Sequence, residues 1–161
     1  MKMVVVVMRG VSGSGKSTYI KNNYPDAIVC SADDYFVQNG SYQFDAAKLP
    51  QAHGACLRKF VDVLAVNANN TSHGNGNVLH PTVVVDNTNC GVDEVAPYAA
   101  LASAYGYELR VVTLLVDPSV AHSRNVHGVK LETVQNQYKR LYAGTRAMPD
   151  RWISNHKIIV N

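Results

Sequence analysis

The stretch Gly10-Val11-Ser12-Gly13-Ser14-Gly15-Lys16-Ser17 constrains the fold of this chain more than any other feature. It fills every fixed position of the pattern G-x-x-x-x-G-K-[S/T]. The run before it, Met3-Val4-Val5-Val6-Val7-Met8, is apolar and β-branched, as in a fully buried parallel strand. Lys16-Ser17-Thr18-Tyr19-Ile20-Lys21 follows without Gly or Pro and continues as a helix. In a strand, glycine-rich turn and helix of this kind, successive backbone N–H groups converge on phosphate oxygens at a helix N-terminus. A plain Gly/Ser turn would require neither flank. The spacing predicts that Gly10, Ser12, Gly13, Ser14, Gly15, Lys16, Ser17 and Thr18 surround a nucleoside triphosphate, ATP or another NTP. Lys16 is expected on the β- and γ-phosphates and the Ser17 hydroxyl on Mg²⁺.

The rest of the chain alternates strand and helix. Ala27–Cys30 reads as a second short buried strand that runs into Ser31-Ala32-Asp33-Asp34-Tyr35-Phe36. Gln38–Tyr42 is polar and contains Gly40, so a loop is expected. Leu49, Ala52, Cys56, Phe60, Val63 and Leu64 recur at helical spacing between Asp45 and Val66, with Asp45 as the cap. Residues 67–81 are rich in Asn, Gly and Ser and read as a flexible insertion. Thr82–Asp86 is the third strand, Val92–Tyr105 an amphipathic helix stopped by Gly106, and Leu109–Val116 the fourth strand. Ser119–Asn125 and Glu132–Tyr142 are helical, and Lys157–Val160 closes the chain as a strand. This order predicts an α/β fold: a P-loop NTPase-type parallel sheet flanked by helices, one domain over residues 1–161, with a C-terminal helical lid.

Composition is compatible with that fold and narrows the partners. A chain of 161 residues suits a single core, and 47% hydrophobic residues is ordinary for a globular protein. Fifteen Lys and Arg against twelve Asp and Glu give a net charge of +3, and the pI is about 8.8. That permits a polyanionic partner without demanding one. Cys30, Cys56 and Cys90 are odd in number and far apart, which suggests neither a zinc site nor a disulfide framework. The valine run is too short for a signal peptide, and no span reaches membrane-crossing length, so a cytoplasmic protein without a membrane partner is expected.

Candidate chemistry gathers after the strands. In open α/β sheets the carboxyl edge of the strands is where ligands bind. Asp86 ends an apolar run there and is expected to hold Mg²⁺ directly or through water, the alternative being a polar residue that merely ends a strand. Asp33 and Asp34 are adjacent, so only one faces the γ-phosphate as a general base, and the other is expected to cap the following turn. Arg124 arrives from the segment after the fourth strand, placed either to neutralise transferring phosphate or as a solvated helix arginine. His127 is a turn residue with a capping or a catalytic role open to it. Trp152 either stacks on a base or anchors the last strand.

Together, Gly10–Ser17, Asp33-Asp34-Tyr35, Asp86-Asn87-Thr88-Asn89 and Arg124-Asn125-Val126-His127-Gly128 resemble the P-loop polynucleotide kinases of bacteriophages and their cellular relatives. Phe44-Asp45, Ala52-His53 and Pro97-Tyr98 are similar to the wider group. The resemblance implies an ATP- and Mg²⁺-dependent kinase acting on a hydroxyl of DNA or RNA. It implies Asp33 as the general base, Lys16 and Arg124 as catalytic cations, and Arg124 as the lid arginine over ATP. It also implies an acceptor side formed by Asp34, Tyr35, Phe36, Asn87, Asn89 and His127. Phe36 stands where the phage 5′-kinases carry a phosphate-clamping arginine, and His127 stands near their second lid arginine. An aromatic ring at Phe36 suits stacking on a base. Both departures bear on which hydroxyl is phosphorylated: a 5′-hydroxyl, a hydroxymethyl group on a modified pyrimidine drawn out of the stack, or that of a nucleoside or small metabolite. A non-enzymatic nucleotide-dependent switch would need neither the base nor the lid arginine.

Overall fold

The computed structural model describes residues 2–72 and 80–161. Its elements follow one another as β1 (Val4–Arg9), α1 (Lys16–Asn23), β2 (Ile28–Cys30), a 3₁₀ turn (Ala32–Phe36), β3 (Val37–Gln38) and β4 (Ser41–Tyr42). Then come α2 (Leu49–Ser72), β5 (Thr82–Asp86), α3 (Val92–Ala104), β6 (Glu108–Leu115), α4 (Pro118–Ser123), α5 (Leu131–Arg146), α6 (Asp150–Ile153) and β7 (His156–Val160). Five strands form one sheet in the order β2-β5-β1-β6-β7, and every pairing in it is parallel. β1 lies at the centre, where the chain order reverses, which is the switch point at which such sheets bind ligands.

The valine run is central because it is apolar on both faces. Val5 and Val7 pack with Cys56, Phe60 and Leu64 of α2 and Val95, Tyr98 and Ala102 of α3. Val4, Val6 and Met8 face the other way, onto Ile20 of α1 and Ile159 of β7. Each such valine, fully buried, contributes about 1.5–3 kcal/mol. Trp152 belongs to the first of these clusters, so it anchors the C-terminal segment and offers no face to a base. A third cluster, Val11, Cys90, Val116, Ala121, Val134 and Leu141, holds α4 and α5 beside the loop after β1.

Three local features depart from the sequence expectation. Val37–Gln38 pairs antiparallel with Ser41–Tyr42, so the polar stretch is a tight hairpin rather than a loop. Its turn is made by Asn39 and Gly40, both at positive φ. The long helix continues to Ser72, through six residues expected to belong to the insertion. Asn67 explains the continuation: its amide donates to the His80 carbonyl at 2.7 Å and to the Tyr107 hydroxyl at 2.6 Å, in a buried setting. Residues 73–79 of the expected insertion lie outside the described residues. Asp45 does cap, accepting from the Ala47 N–H at 3.0 Å, but it caps a short 3₁₀ turn (Ala46–Lys48) that leads into α2. No helix among the described residues is long and apolar enough to cross a membrane.

Candidate active site

The loop from Gly10 to Gly15 joins the central strand to α1 and turns on Gly13 (φ 82°) and Gly15 (φ 94°). Both lie in the left-handed region that favours glycine. A Cβ on Gly13 would also collide with the Ala121 carbonyl of α4. The Gly10 N–H is fixed by the Thr88 carbonyl at 3.0 Å, and the Ser12 N–H by the Gln137 side chain of α5 at 3.0 Å. Lys16 curls back over the loop, its ammonium donating to the carbonyls of Gly10 (3.0 Å) and Val11 (3.2 Å). Ser17 donates to an Asp86 carboxylate oxygen at 3.1 Å, and Thr18 is exposed in the first turn of α1.

A second group forms at the same sheet edge, beyond β2. Ser31 caps the 3₁₀ turn by accepting from the Asp33 N–H at 3.2 Å. Asp33 then receives a 3.1 Å hydrogen bond from the Tyr42 hydroxyl, delivered by the hairpin. His127, from the segment between α4 and α5, brings Nε2 to 4.0 Å from the other Asp33 oxygen, and its ring lies 4.3 Å from that of Tyr42. Asp34 points elsewhere. It pairs with Lys59 of α2 at 3.0 Å, and Lys59 also donates to the Val29 carbonyl at 2.7 Å. Ser31, not Asp34, is therefore the cap, which corrects the role expected for the second aspartate.

Electrostatics join the two groups. Burial lowers the Lys16 pKa, opposed chiefly by the negative charge of Asp86 and more weakly by Asp33. Burial raises the Asp86 pKa, opposed by Lys16 and the Ser17 hydrogen bond, while Asp33 and Asp34 push it further up. Asp33 thus acts on both members of the phosphate-loop pair. Burial and the Asp33 charge push the Tyr42 phenol up to about 12, so it remains a donor across the physiological range.

These residues fit a Mg²⁺–triphosphate. An adjacent hydroxyl and carboxylate are the hard oxygen donors Mg²⁺ takes, the rest of its shell being phosphate and water. No group of three or more His, Cys, Asp or Glu side chains converges among the described residues, so an all-protein metal cage is not built there. Two polar atoms beside the loop, Ser14 Oγ and Asn125 Nδ2, are buried without a hydrogen-bond partner. Unpaired buried groups of this kind are costly, and a bound ligand is one explanation for them.

Other expected site residues are placed differently. Phe36 is only 2% exposed and packs edge-on against Tyr35, Tyr42 and Phe44, so it supports the hairpin and cannot stack on a base. Asn87 is buried, accepting from the Ala32 N–H at 2.8 Å and donating to Cys56 Sγ at 3.5 Å. Asn89, at φ 44°, donates to the Met8 carbonyl at 2.8 Å. Both asparagines fasten strand ends, and their side-chain polar groups are committed to the fold. Tyr35 is exposed, as is Phe44. Arg124 is exposed at the C-cap of α4, with no side-chain partner among the described residues.

Sequence reading missed Tyr42, Gln137 and Arg9. Arg9, fully buried at the end of β1, donates to the carbonyls of Asn89 (2.8 Å), Cys90 (2.7 Å) and Leu141 (3.5 Å) and to the hydroxyls of Thr113 (3.0 Å) and Thr145 (2.9 Å). Burial brings its pKa down to about 10. A charged residue directly after an apolar strand was the available signal for it. Tyr42 and Gln137 depend on tertiary approach and leave no local mark.

Comparison with known proteins gives three results. Residues 5–135 match the family described as AAA domain. Human NEDD4-binding protein 2 is 32% identical over an alignment of 139 residues, and the match covers 82% of this chain and 7% of that protein. An uncharacterized protein of Pasteurella multocida (strain Pm70) is 26% identical over 146 residues, 85% of this chain and 75% of its own. Among solved structures, the native AvrRxo1-ORF1–AvrRxo1-ORF2 complex has a TM-score of 0.74 at 14% identity, and the same complex with ATP 0.72 at 12%. Both cover 99% of this chain and 55% of the matched one, and at that identity the likeness is one of fold.

Proposed function

We propose that this chain, which belongs to the AAA domain family, is an ATP-dependent kinase that phosphorylates a hydroxyl of a nucleic acid, first of all a 5′-hydroxyl. The observation that carries the reading is Asp33, a carboxylate oriented by Tyr42 and His127 whose charge acts on both Lys16 and Asp86. A nucleotide switch has no use for an oriented carboxylate at that place, whereas phosphoryl transfer to an alcohol does.

In the reaction, the backbone of Gly10–Ser17 cradles the triphosphate, and Lys16 exchanges the loop carbonyls for β- and γ-phosphate oxygens. Ser17 and Asp86 would hold Mg²⁺, which supplies charge neutralisation at the phosphates when bound. Asp33 accepts the proton of the acceptor hydroxyl as its oxygen bonds to the γ-phosphorus. The bond from that phosphorus to the β–γ bridging oxygen breaks, and ADP leaves. Arg124, exposed on the segment whose Ala121 and Asn125 lie against Gly13 and without a side-chain partner among the described residues, is available to the transferring phosphoryl group. The AvrRxo1 complex with ATP supports ATP as donor by analogy of fold. Net positive charge and the exposed rings of Tyr35 and Phe44 support a single-stranded polyanion as acceptor.

The test is transfer of radiolabelled γ-phosphate from ATP to 5′-hydroxyl oligonucleotides, internally hydroxymethylated DNA and free nucleosides. Labelling of the oligonucleotide end is expected. Labelling of only the modified base or only the nucleoside would reassign the acceptor, and no labelling with bound ATP would favour the switch.

A further inference from the structure

A cavity of about 280 Å³ opens between α2 and α3, lined by His53, Gly54, Leu57, Thr88, Pro97 and Tyr98, with Asn89 and Glu94 at its margin. We infer that this cavity is an acceptor subsite that takes one unpaired nucleobase. The assignment rests on the kinase reading above and names the part of the acceptor that the chain grips.

Thr88 and Asn89 belong to the turn that ends β5, where the Thr88 carbonyl holds the Gly10 N–H of the phosphate loop. His53, Gly54 and Leu57 lie early in α2, and Glu94, Pro97 and Tyr98 early in α3. The cavity therefore shares the turn after β5 with the phosphate loop, and Arg140 of α5 reaches the Glu94 that lines it.

Glycine and proline are the two residues a helix interior disfavours most. Gly54 lies inside α2 and Pro97 inside α3, and the two face the same cavity. Above Gly54, the position of a Cβ meets no atom within 4 Å. A bare stretch of helix backbone beside open space permits close approach by a flat ligand, a use for which glycine is suited.

Size and charge choose the occupant. The volume of about 280 Å³ falls just below the range for drug-sized ligand pockets, ~300–1,000 Å³, which leaves room for one ring system and none for a base pair. No lysine or arginine lines it, so it is not a phosphate site. Apolar walls at Leu57 and Pro97 suit the faces of a base. The Thr88 hydroxyl and the Glu94 carboxylate, which Arg140 and the Gly91 N–H already hold in place, suit a base edge. A base that enters this cavity is unpaired, so the acceptor end must be single-stranded or frayed.

The test uses the full chain and two acceptors: a short 5′-hydroxyl single-stranded DNA and the same strand abasic at its terminal nucleotide. Gly54→Leu fills the cavity, Gly54→Ala intrudes less, and Pro97→Ala alters the opposite wall. On the normal strand, Gly54→Leu is expected to raise the acceptor KM on the order of tenfold, with the ATP KM unchanged and Tm not lowered. Gly54→Ala and Pro97→Ala should each raise Tm, by relieving a poor helix former, yet weaken the acceptor. On the abasic strand, wild type and variants should be equal. The assignment is overturned if the variants bind the normal strand as wild type does, or lose the same factor on the abasic strand. Absence of transfer from wild type to any oligonucleotide overturns the nucleic-acid kinase reading on which the assignment rests, and that result is visible before any variant is compared.

Discussion

Asp33 and Asp86 are close enough to act on each other electrostatically, yet their surroundings differ. Asp33 is held by Tyr42, whose phenol donates at 3.1 Å and remains protonated. A hydrogen bond to a charged group contributes about 1.5–3 kcal/mol, so Tyr42→Phe should lower kcat by roughly tenfold to a hundredfold and leave the ATP KM unchanged. Steady-state kinetics with varied ATP check this, and an unchanged kcat would remove Tyr42 from the account. Asp86 is the opposite case, because burial holds its carboxyl above the ordinary 3.8. The folded state binds this proton more tightly than the unfolded chain does. The group's contribution is therefore most favourable below 3.8 and declines as pH rises through the raised value. In its ionised form and without metal, Asp86 is a cost to stability. Asp86→Asn should raise Tm by a few degrees in the absence of ligand and abolish the further rise produced by Mg²⁺–ATP, as thermal melts with and without nucleotide will report.

At the scale of elements, Arg9 joins the central strand to three others. Its five hydrogen bonds reach the turn after β5, β6 and α5, and they place α5 against the phosphate loop. Gly144 of α5 lies so close to the Cys90 carbonyl that a Cβ would collide with it. Arg9→Ala strands several buried acceptors, and a buried acceptor left without its donor costs about 1–3 kcal/mol. That is a large part of the 5–15 kcal/mol a domain has, so chemical denaturation should show a marked loss. A cost under about 1 kcal/mol would mean that water replaces the guanidinium freely. Buried parallel strands were legible because both their faces are apolar, so each appeared as an unbroken run ended by a polar residue. The hairpin was not legible, since two-residue strands with exposed or half-exposed side chains carry no alternation. The end of α2 was hidden for another reason: Asn67 reads as a helix breaker until tertiary contact with Tyr107 and His80 satisfies its amide.

For the whole molecule, the sheet order brings the ends of β1, β2 and β5 to one edge and seats the phosphate loop at the switch point. Lys16, Ser17 and Asp86 could be named from the sequence because phosphate chemistry restricts the residue types that follow each strand, whereas Asp33 was preferred to Asp34 only through the family resemblance. Phe36 could not be judged there: an aromatic residue after an acidic pair reads equally as a stacking ring or as core, and only the packing of Tyr42 and Phe44 around it decides. The central claim is that Asp33 takes the proton from an acceptor hydroxyl while the phosphate loop holds the nucleotide independently of it. The direct measurement is single-turnover transfer from ATP to a 5′-hydroxyl oligonucleotide by wild type and Asp33→Asn, with calorimetry of Mg²⁺–ATP binding on the same samples. The account predicts a rate lower by about 10²–10⁴-fold with an unchanged nucleotide Kd, whereas transfer at the wild-type rate, or loss of nucleotide binding along with activity, would contradict it.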